Sequence, residues 1–316
     1  MIRKYGLMMA LTICLMLTLV GCTTQYEKTS EALKKYETEK KDYDVRISDY
    51  NNAAGEINSA NEELDKVIDT AQELINKAET PLKETTFDNL KNKLSKASEA
   101  RVDDVEVFPV YDEVTINEDM SSEELEKIEK ALEKDTKKMN GVKDIIIPSL
   151  PDYSKVTKDL NKCINKYNTS VKAHKQVTNP SEKFVIKRLQ AINGIEEIKA
   201  VTEKHDPNGQ LHKAGGYTSS IYFSYNKVDK SKLFPEPGDD IIDIGTDGGG
   251  CVEVYASVEN ANSRNEYLGV FDGGILSSGS HTVIGTVLVR TSCELTATEQ
   301  KKLTNQIIKQ LTKVKK

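Results

Sequence analysis

From Thr29 onward the chain repeats one pattern of steps, four residues and then three. It runs through Thr29, Leu33, Tyr36, Lys40, Tyr43, Ile47, Tyr50, Ala54, Ile57, Asn61, Leu64, Ile68, Ala71, Ile75 and Ala78. Twelve of these fifteen positions are apolar or aromatic, which is the heptad seam of a helix that buries one stripe against a partner. The spacing predicts a helix over residues 26–79, about 80 Å long at 1.5 Å per residue. Thr80-Pro81 ends it, because proline has no N–H to continue the ladder. The polar seam positions Lys40 and Asn61 are suited to fixing register.

Shorter periodic runs follow. Phe87, Leu90, Leu94 and Ala97 predict a second helix, whereas VDDVEVFPVYDEVTI breaks the helical period and reads as extended chain. Ser121 with Glu124 forms a capping box before the stripe Leu125, Ile128, Leu132, Met139. IIIPSLPDY interrupts that run. Asp152 then caps a helix through Val156, Leu160, Cys163, Tyr167 and Val171. Residues 122–177 match the length of the first helix, so an antiparallel bundle within the chain is favoured over a homo-oligomeric coiled coil.

Beyond residue 178 the pattern changes. Asn179-Pro180-Ser181-Glu182 has the grammar of a helix start, with Asn179 as cap, and that helix stops at Gly194. Strands are expected at 198–203, 217–225, 252–257 and 281–291, with helices at 259–268 and 296–311. The fold class is therefore a helical stalk, coiled coil or bundle, followed by a small α+β domain. Its sheet is expected to be antiparallel or mixed, with helices on one face. The expected boundaries are 1–21 for a leader, 22–178 for the stalk and 179–316 for the α+β domain.

The first residues change the picture more than composition does. Arg3 and Lys4 precede an apolar run that stops at Thr23-Thr24-Gln25, slightly short for a spanning helix and fitting for a signal peptide. Leu19-Val20-Gly21-Cys22 resembles the lipobox of bacterial lipoproteins. That resemblance implies cleavage behind Gly21, a diacylglyceryl thioether on Cys22, and acyl chains holding the protein at the outer face of the cell membrane. The whole chain carries a net charge of −6. Loss of Arg3 and Lys4 with the leader makes it more acidic still, which disfavours nucleic acid as a main partner. Cys163, Cys251 and Cys293 then remain, an odd number that allows at most one internal disulfide. Cys251 with Cys293 is the pair considered, in strands that are neighbours if the sheet closes that way.

Four segments, TEKHDPNGQLHKAGGYTSSIYFSY, DIGTDGGGCVEVY, SRNEYLGVFDGG and GSHTVIGTVLVRTSCELTATEQ, resemble a C-terminal domain of Gram-positive bacterial surface lipoproteins labelled EbhA-like. The resemblance covers roughly residues 180–312. It implies location and architecture, and it brings no catalytic residues with it.

Candidate chemistry lies in the loops of this region. Gly245-Thr246-Asp247-Gly248-Gly249-Gly250 lacks the Lys-Ser/Thr of a phosphate loop and precedes a strand, so it reads as a turn delivering that strand. Asp206, Asn208, Asp247, Asp272 and His281 are the candidate ligand or cation residues, because hard cations take oxygen ligands from loops. Asp206-Pro207-Asn208-Gly209 is equally good turn chemistry, and no metal-site spacing is present. His281, with Asp272, Ser278 and Ser280 nearby in sequence, invites a nucleophilic triad, but neither G-x-S-x-G nor HExxH occurs. No catalytic residue, cofactor or metal is assigned. A surface binding, adaptor or envelope-structural module is read ahead of the alternative, a small-ligand or hydrolytic tip acting on envelope material. The expected partners are the membrane, through the anchor, and a protein or envelope component.

Overall fold

A computed structural model describes residues 2–274 and 279–314, with side chains from Thr24 onward. The leader over 1–21 and the acceptor Cys22 lie outside the residues described with side chains. Among the described residues no helix is long and apolar enough to cross a membrane. The chain is α+β, with eight helices and one five-stranded antiparallel sheet among those residues. It divides into two compact units, Met1–Val67 with Ala97–Thr157, and Ile68–Lys96 with Lys158–Lys316.

In the first unit the seam belongs to α1 (Ile2–Lys77), and α3 (Ser122–Asn140) packs on it. Tyr36, Tyr43 and Ile47 meet Leu132 and Met139, with Phe108, Tyr111 and Val114 closing the cluster. Ser121 forms the expected capping box with Glu124. The last three apolar contacts come from the extended segment, which α1 holds by hydrogen bonds from its own side chains. Tyr36 donates to the carbonyl of Asp112 (2.7 Å) and Tyr43 to that of Pro109 (2.9 Å). The amide of Asn51 donates to Phe108 O and accepts from Phe108 N, and Asn58 does the same with Val105. From Tyr36 to Tyr43 and from Asn51 to Asn58, a step of seven on the helix matches a step of three on the extended chain. The reason is metric: seven helical residues advance about 10.5 Å, and three extended residues about 10 Å. Asn61 is wholly buried and saturated, donating to Val102 O and Asp104 Oδ1 while accepting from the Tyr153 hydroxyl. Helix α1 ends at Lys77, ahead of Pro81, because Ala78 turns to a left-handed φ of 47°.

The second unit holds the sheet. Its strands are β1 (Ile195–Ala200), β2 (Tyr217–Tyr225), β3 (Gly249–Tyr255), β4 (Ser280–Ile284) and β5 (Val287–Thr291), in the order β1-β2-β3-β5-β4. The remaining helices are α2 (Thr85–Ala100), α4 (Ser154–Gln176), α5 (Glu182–Leu189), α6 (Ile241–Ile244), α7 (Val258–Gly269) and α8 (Ala297–Leu311). The cap of α5 is Ser181, whose hydroxyl accepts from Phe184 N; Asn179 sits outside the helix with φ 45°. Asp152 accepts from Ser154 N at the start of α4.

Two sheet expectations are corrected. Helices cover both faces, not one. On one side Val185 and Leu189 of α5 and Leu303 and Ile307 of α8 pack on Ile221, Phe223, Val252, Val254, Val287 and Val289. On the other, Ile241 and Ile242 of α6 and Ala261 and Leu268 of α7 meet Tyr217, Tyr222, Cys251, Tyr255 and Leu288. Every residue of β3 and β5 is buried, so a bare second face would leave large aromatic side chains in water. The run 281–291 is also two strands. Gly285 adopts φ 58° and begins a two-residue reversal that pairs Ile284 with Val287, the glycine-first arrangement that matches strand twist.

Candidate functional site

The face of the sheet under α7 carries a buried charge among apolar and aromatic side chains. Alternation along β3 turns Cys251, Glu253 and Tyr255 toward it, while Val252 and Val254 go to the opposite core. Glu253 has no exposed surface. Arg290, from the neighbouring strand β5, donates through Nη1 to Glu253 Oε1 at 2.9 Å. The Tyr255 hydroxyl donates to Oε2 at 2.6 Å, and Nε of Arg264 on α7 lies 3.4 Å from the same oxygen. A buried carboxylate is tolerated only when paired and hydrogen-bonded in this way. Desolvation is the strongest influence on Arg290 and would release its proton, but the Glu253 charge, its hydrogen bond and the neighbouring groups together outweigh that and hold the guanidinium charged. Burial raises the phenol of Tyr255, reinforced by Glu253, so Tyr255 stays a donor.

A cavity of about 430 Å³ opens beside this cluster, between α7 and the loop that precedes β2. Tyr217 and Tyr255 line it, as do Asn208, Asn260, Ser263, Arg264 and Tyr267 among others. The guanidinium of Arg264 stacks over the Tyr267 ring, 5.3 Å from its centroid. Beyond the Nε contact with Glu253, its terminal amines donate to no other described residue. The loop is stapled by Asp206, whose carboxylate accepts from the backbone N–H of Asn208 (3.1 Å), Gln210 (2.7 Å) and Leu211 (2.8 Å), and from the Tyr217 hydroxyl. Gly216 is needed there, since a Cβ would stand 2.0 Å from Gln210 O. Burial opposes ionisation of Asp206, yet the Tyr217 hydroxyl and the three amides win and hold its carboxyl below the ordinary aspartate range. Burial likewise raises the Tyr217 phenol, with Asp206 adding to it.

The residues singled out in the sequence fall into three local networks. Asp206 and Asn208 shape the cavity loop, with Asn208 Nδ2 3.2 Å from the Tyr222 hydroxyl. Asp272 and His281 meet: Nε2 of His281 lies 3.2 Å from both Asp272 oxygens, and Nδ1 lies 2.7 Å from Asn265 Oδ1. With both ring nitrogens engaged and Ser280 Oγ turned to Thr291 Oγ1 (2.7 Å), no nucleophile stands against His281 among the described residues. Ser278 lies outside the described residues. Asp247 faces Cys293, whose Sγ is 3.6 Å from Oδ1.

Cys251 and Cys293 are both free thiols and are not brought together. Cys251 is buried against Ser220 Oγ at 3.1 Å. Burial, then the Glu253 charge, pushes its thiol up to about 12. One grouping of cation-ligand type occurs among the described residues, His205 with Asp240 and Asp243. Lys199 Nζ sits 2.6 Å from Asp240 Oδ2, and Asp240 caps α6, so the group is already balanced by protein.

Glu253, Arg264 and Arg290 were not legible as site residues. The available signal was an acid in GGCVEVY and a base in TVLVRT, each at an inward position of an otherwise buried strand. No family model, no curated protein and no solved structure matches the chain.

Proposed function

We propose that this protein is an extracytoplasmic lipoprotein, tethered by a thioether on Cys22 to the outer face of a bacterial membrane. Its helical region acts as a stalk, and its sheet-bearing region works as a binding module. The reading rests on the leader pattern around Cys22 and on the cavity beside Glu253. The single observation that carries recognition is the state of Arg264. Its Nε and ring contacts fix the guanidinium, while Arg264 lines the cavity and its terminal amines have no acceptor among the described residues. A fixed fork of N–H donors beside amide side chains and an aromatic ring suits a polar ligand that presents paired acceptor oxygens. Binding without turnover is favoured over hydrolysis because the neighbouring phenols are held protonated and, among the described residues, no nucleophile stands beside His281.

Two measurements test this. Metabolic labelling with an alkyne fatty acid should mark the wild-type protein and not Cys22→Ala; label retained by the variant removes the anchor. A photocrosslinker at Ser263, which lines the cavity, should capture a recurrent envelope component in cells. That capture should fall at least about tenfold in Arg264→Ala, the loss of one charge-assisted contact. Capture that ignores Arg264 would place recognition elsewhere.

A further inference from the structure

A second concavity lies away from the Arg264 site, where the turn after α1, the start of α2, one stripe of α4 and the end of α8 come together. Its volume is about 1190 Å³, above the roughly 300–1,000 Å³ typical of small-molecule sites. Four lysines line it, Lys83, Lys158, Lys162 and Lys166, and every other lining residue is uncharged. This is a local reversal of sign in a chain with 50 acidic and 44 basic side chains. Nearby lysines are neutralised, Lys93 by Asp159 and Lys175 by Glu79. The four groove lysines are exposed and form no ion pair among the described residues.

The groove is built on fixed backbone. Leu82 N donates to Ser170 O (3.1 Å), Lys83 N to Ser170 Oγ (2.9 Å) and the Tyr167 hydroxyl to Glu79 O (2.7 Å). Lys158, Lys162 and Lys166 follow one another at four-residue steps, so their stems leave α4 about 6 Å apart along its axis. Charges strung over about 12 Å in this way do not converge on one small anion. They match a row of negative charges. No aromatic side chain lines the groove to stack a base, so charge alone is read.

We propose that this groove binds a linear polyanion whose phosphate groups recur along its length, independently of the Arg264 cavity. The test titrates the full lipid-free chain with fluorescently labelled inorganic polyphosphate at low salt, followed by anisotropy. Binding is expected, weakening linearly on a log–log salt plot with a slope of about −2 to −3 for three or four neutralised phosphates. The triple variant Lys158→Gln/Lys162→Gln/Lys166→Gln should bind at least tenfold more weakly with an unchanged unfolding midpoint. A control, Lys127→Gln/Lys130→Gln on α3, should bind as wild type. Orthophosphate at equal phosphate concentration should not compete. The inference is overturned if polyphosphate fails to bind at low salt, or if the triple variant binds like wild type. It is also overturned if the control loses as much, or if orthophosphate competes equally. Groove-dependent binding to phosphatidylglycerol vesicles without binding to polyphosphate would replace the polymer with lipid headgroups.

Discussion

Asp206 bonds to its own loop so completely that its charge contributes to folding and is not left over for a ligand. Its folded acidity is depressed, by hydrogen bonds that outweigh burial. The sign follows from linkage: the unfolded chain binds the proton more tightly, so the stabilisation is present above the ordinary aspartate value near 3.9 and is lost as pH falls through the lower folded value. Asp206→Asn should therefore flatten the fall in unfolding midpoint below about pH 4. A variant that loses stability in acid as steeply as wild type would remove Asp206 from that role. The cysteines offer a second reading at this scale. Cys251 is buried with its thiol raised to about 12. Cys293 is exposed, and its thiol is raised less, by partial burial and then Asp247. Native alkylation at pH 8 followed by peptide mapping should find Cys163 and Cys293 modified, and Cys251 only after unfolding. A modified Cys251 in native protein would mean that α7 opens readily.

At the scale of elements, the β4–β5 hairpin depends on a glycine for two separate reasons. Gly285 has φ 58°, and a Cβ there would stand 2.3 Å from the carbonyl of Val177, which also accepts from Thr286 N. Gly209 shares φ 58° but has nothing within 4 Å of the same built atom. Gly209→Ala should cost about 1–2 kcal/mol, the left-handed penalty alone. Gly285→Ala should cost clearly more in the same denaturant titration, and equal costs would show that the corner at Val177 yields. This hairpin also marks where sequence reading reaches its limit. The α1 seam, the Ser121 box and the strand at 217–225 were legible because each is a local period or a local bond. The break at Gly285 was not, because HTVIGTVLVRT reads as one apolar run until Val177 supplies the reason to turn. Glu253 was illegible for the same cause: its partners Arg290, Tyr255 and Arg264 are assembled by strand pairing and by a helix packed on top, and no spacing announces them. Asp206 and Asn208 were legible as loop formers, and their loop does wall the cavity.

For the molecule as a whole, the compact units do not follow the composition switch near residue 178. Val177 is fully buried in the sheet core, and Thr286 bonds to it. A fragment starting at residue 179 should therefore melt at least about 3 °C below one starting at residue 158, the shift expected for roughly 1 kcal/mol in a domain of this size. Equal melting would make 179–316 self-sufficient. The seven-to-three ladder along α1 carries a different consequence. Tyr36, Tyr43, Asn51 and Asn58 hold the extended segment by bonds that bridge the helix to a segment running the other way along it, spread over about six helical turns. Tension drawn along that segment would strain these bonds together, in shear, where a hairpin pulled from its open end gives way one rung at a time. A protein tethered at a surface and pulled by what it holds would then yield abruptly at a threshold force, like a latch, and not by gradual peeling.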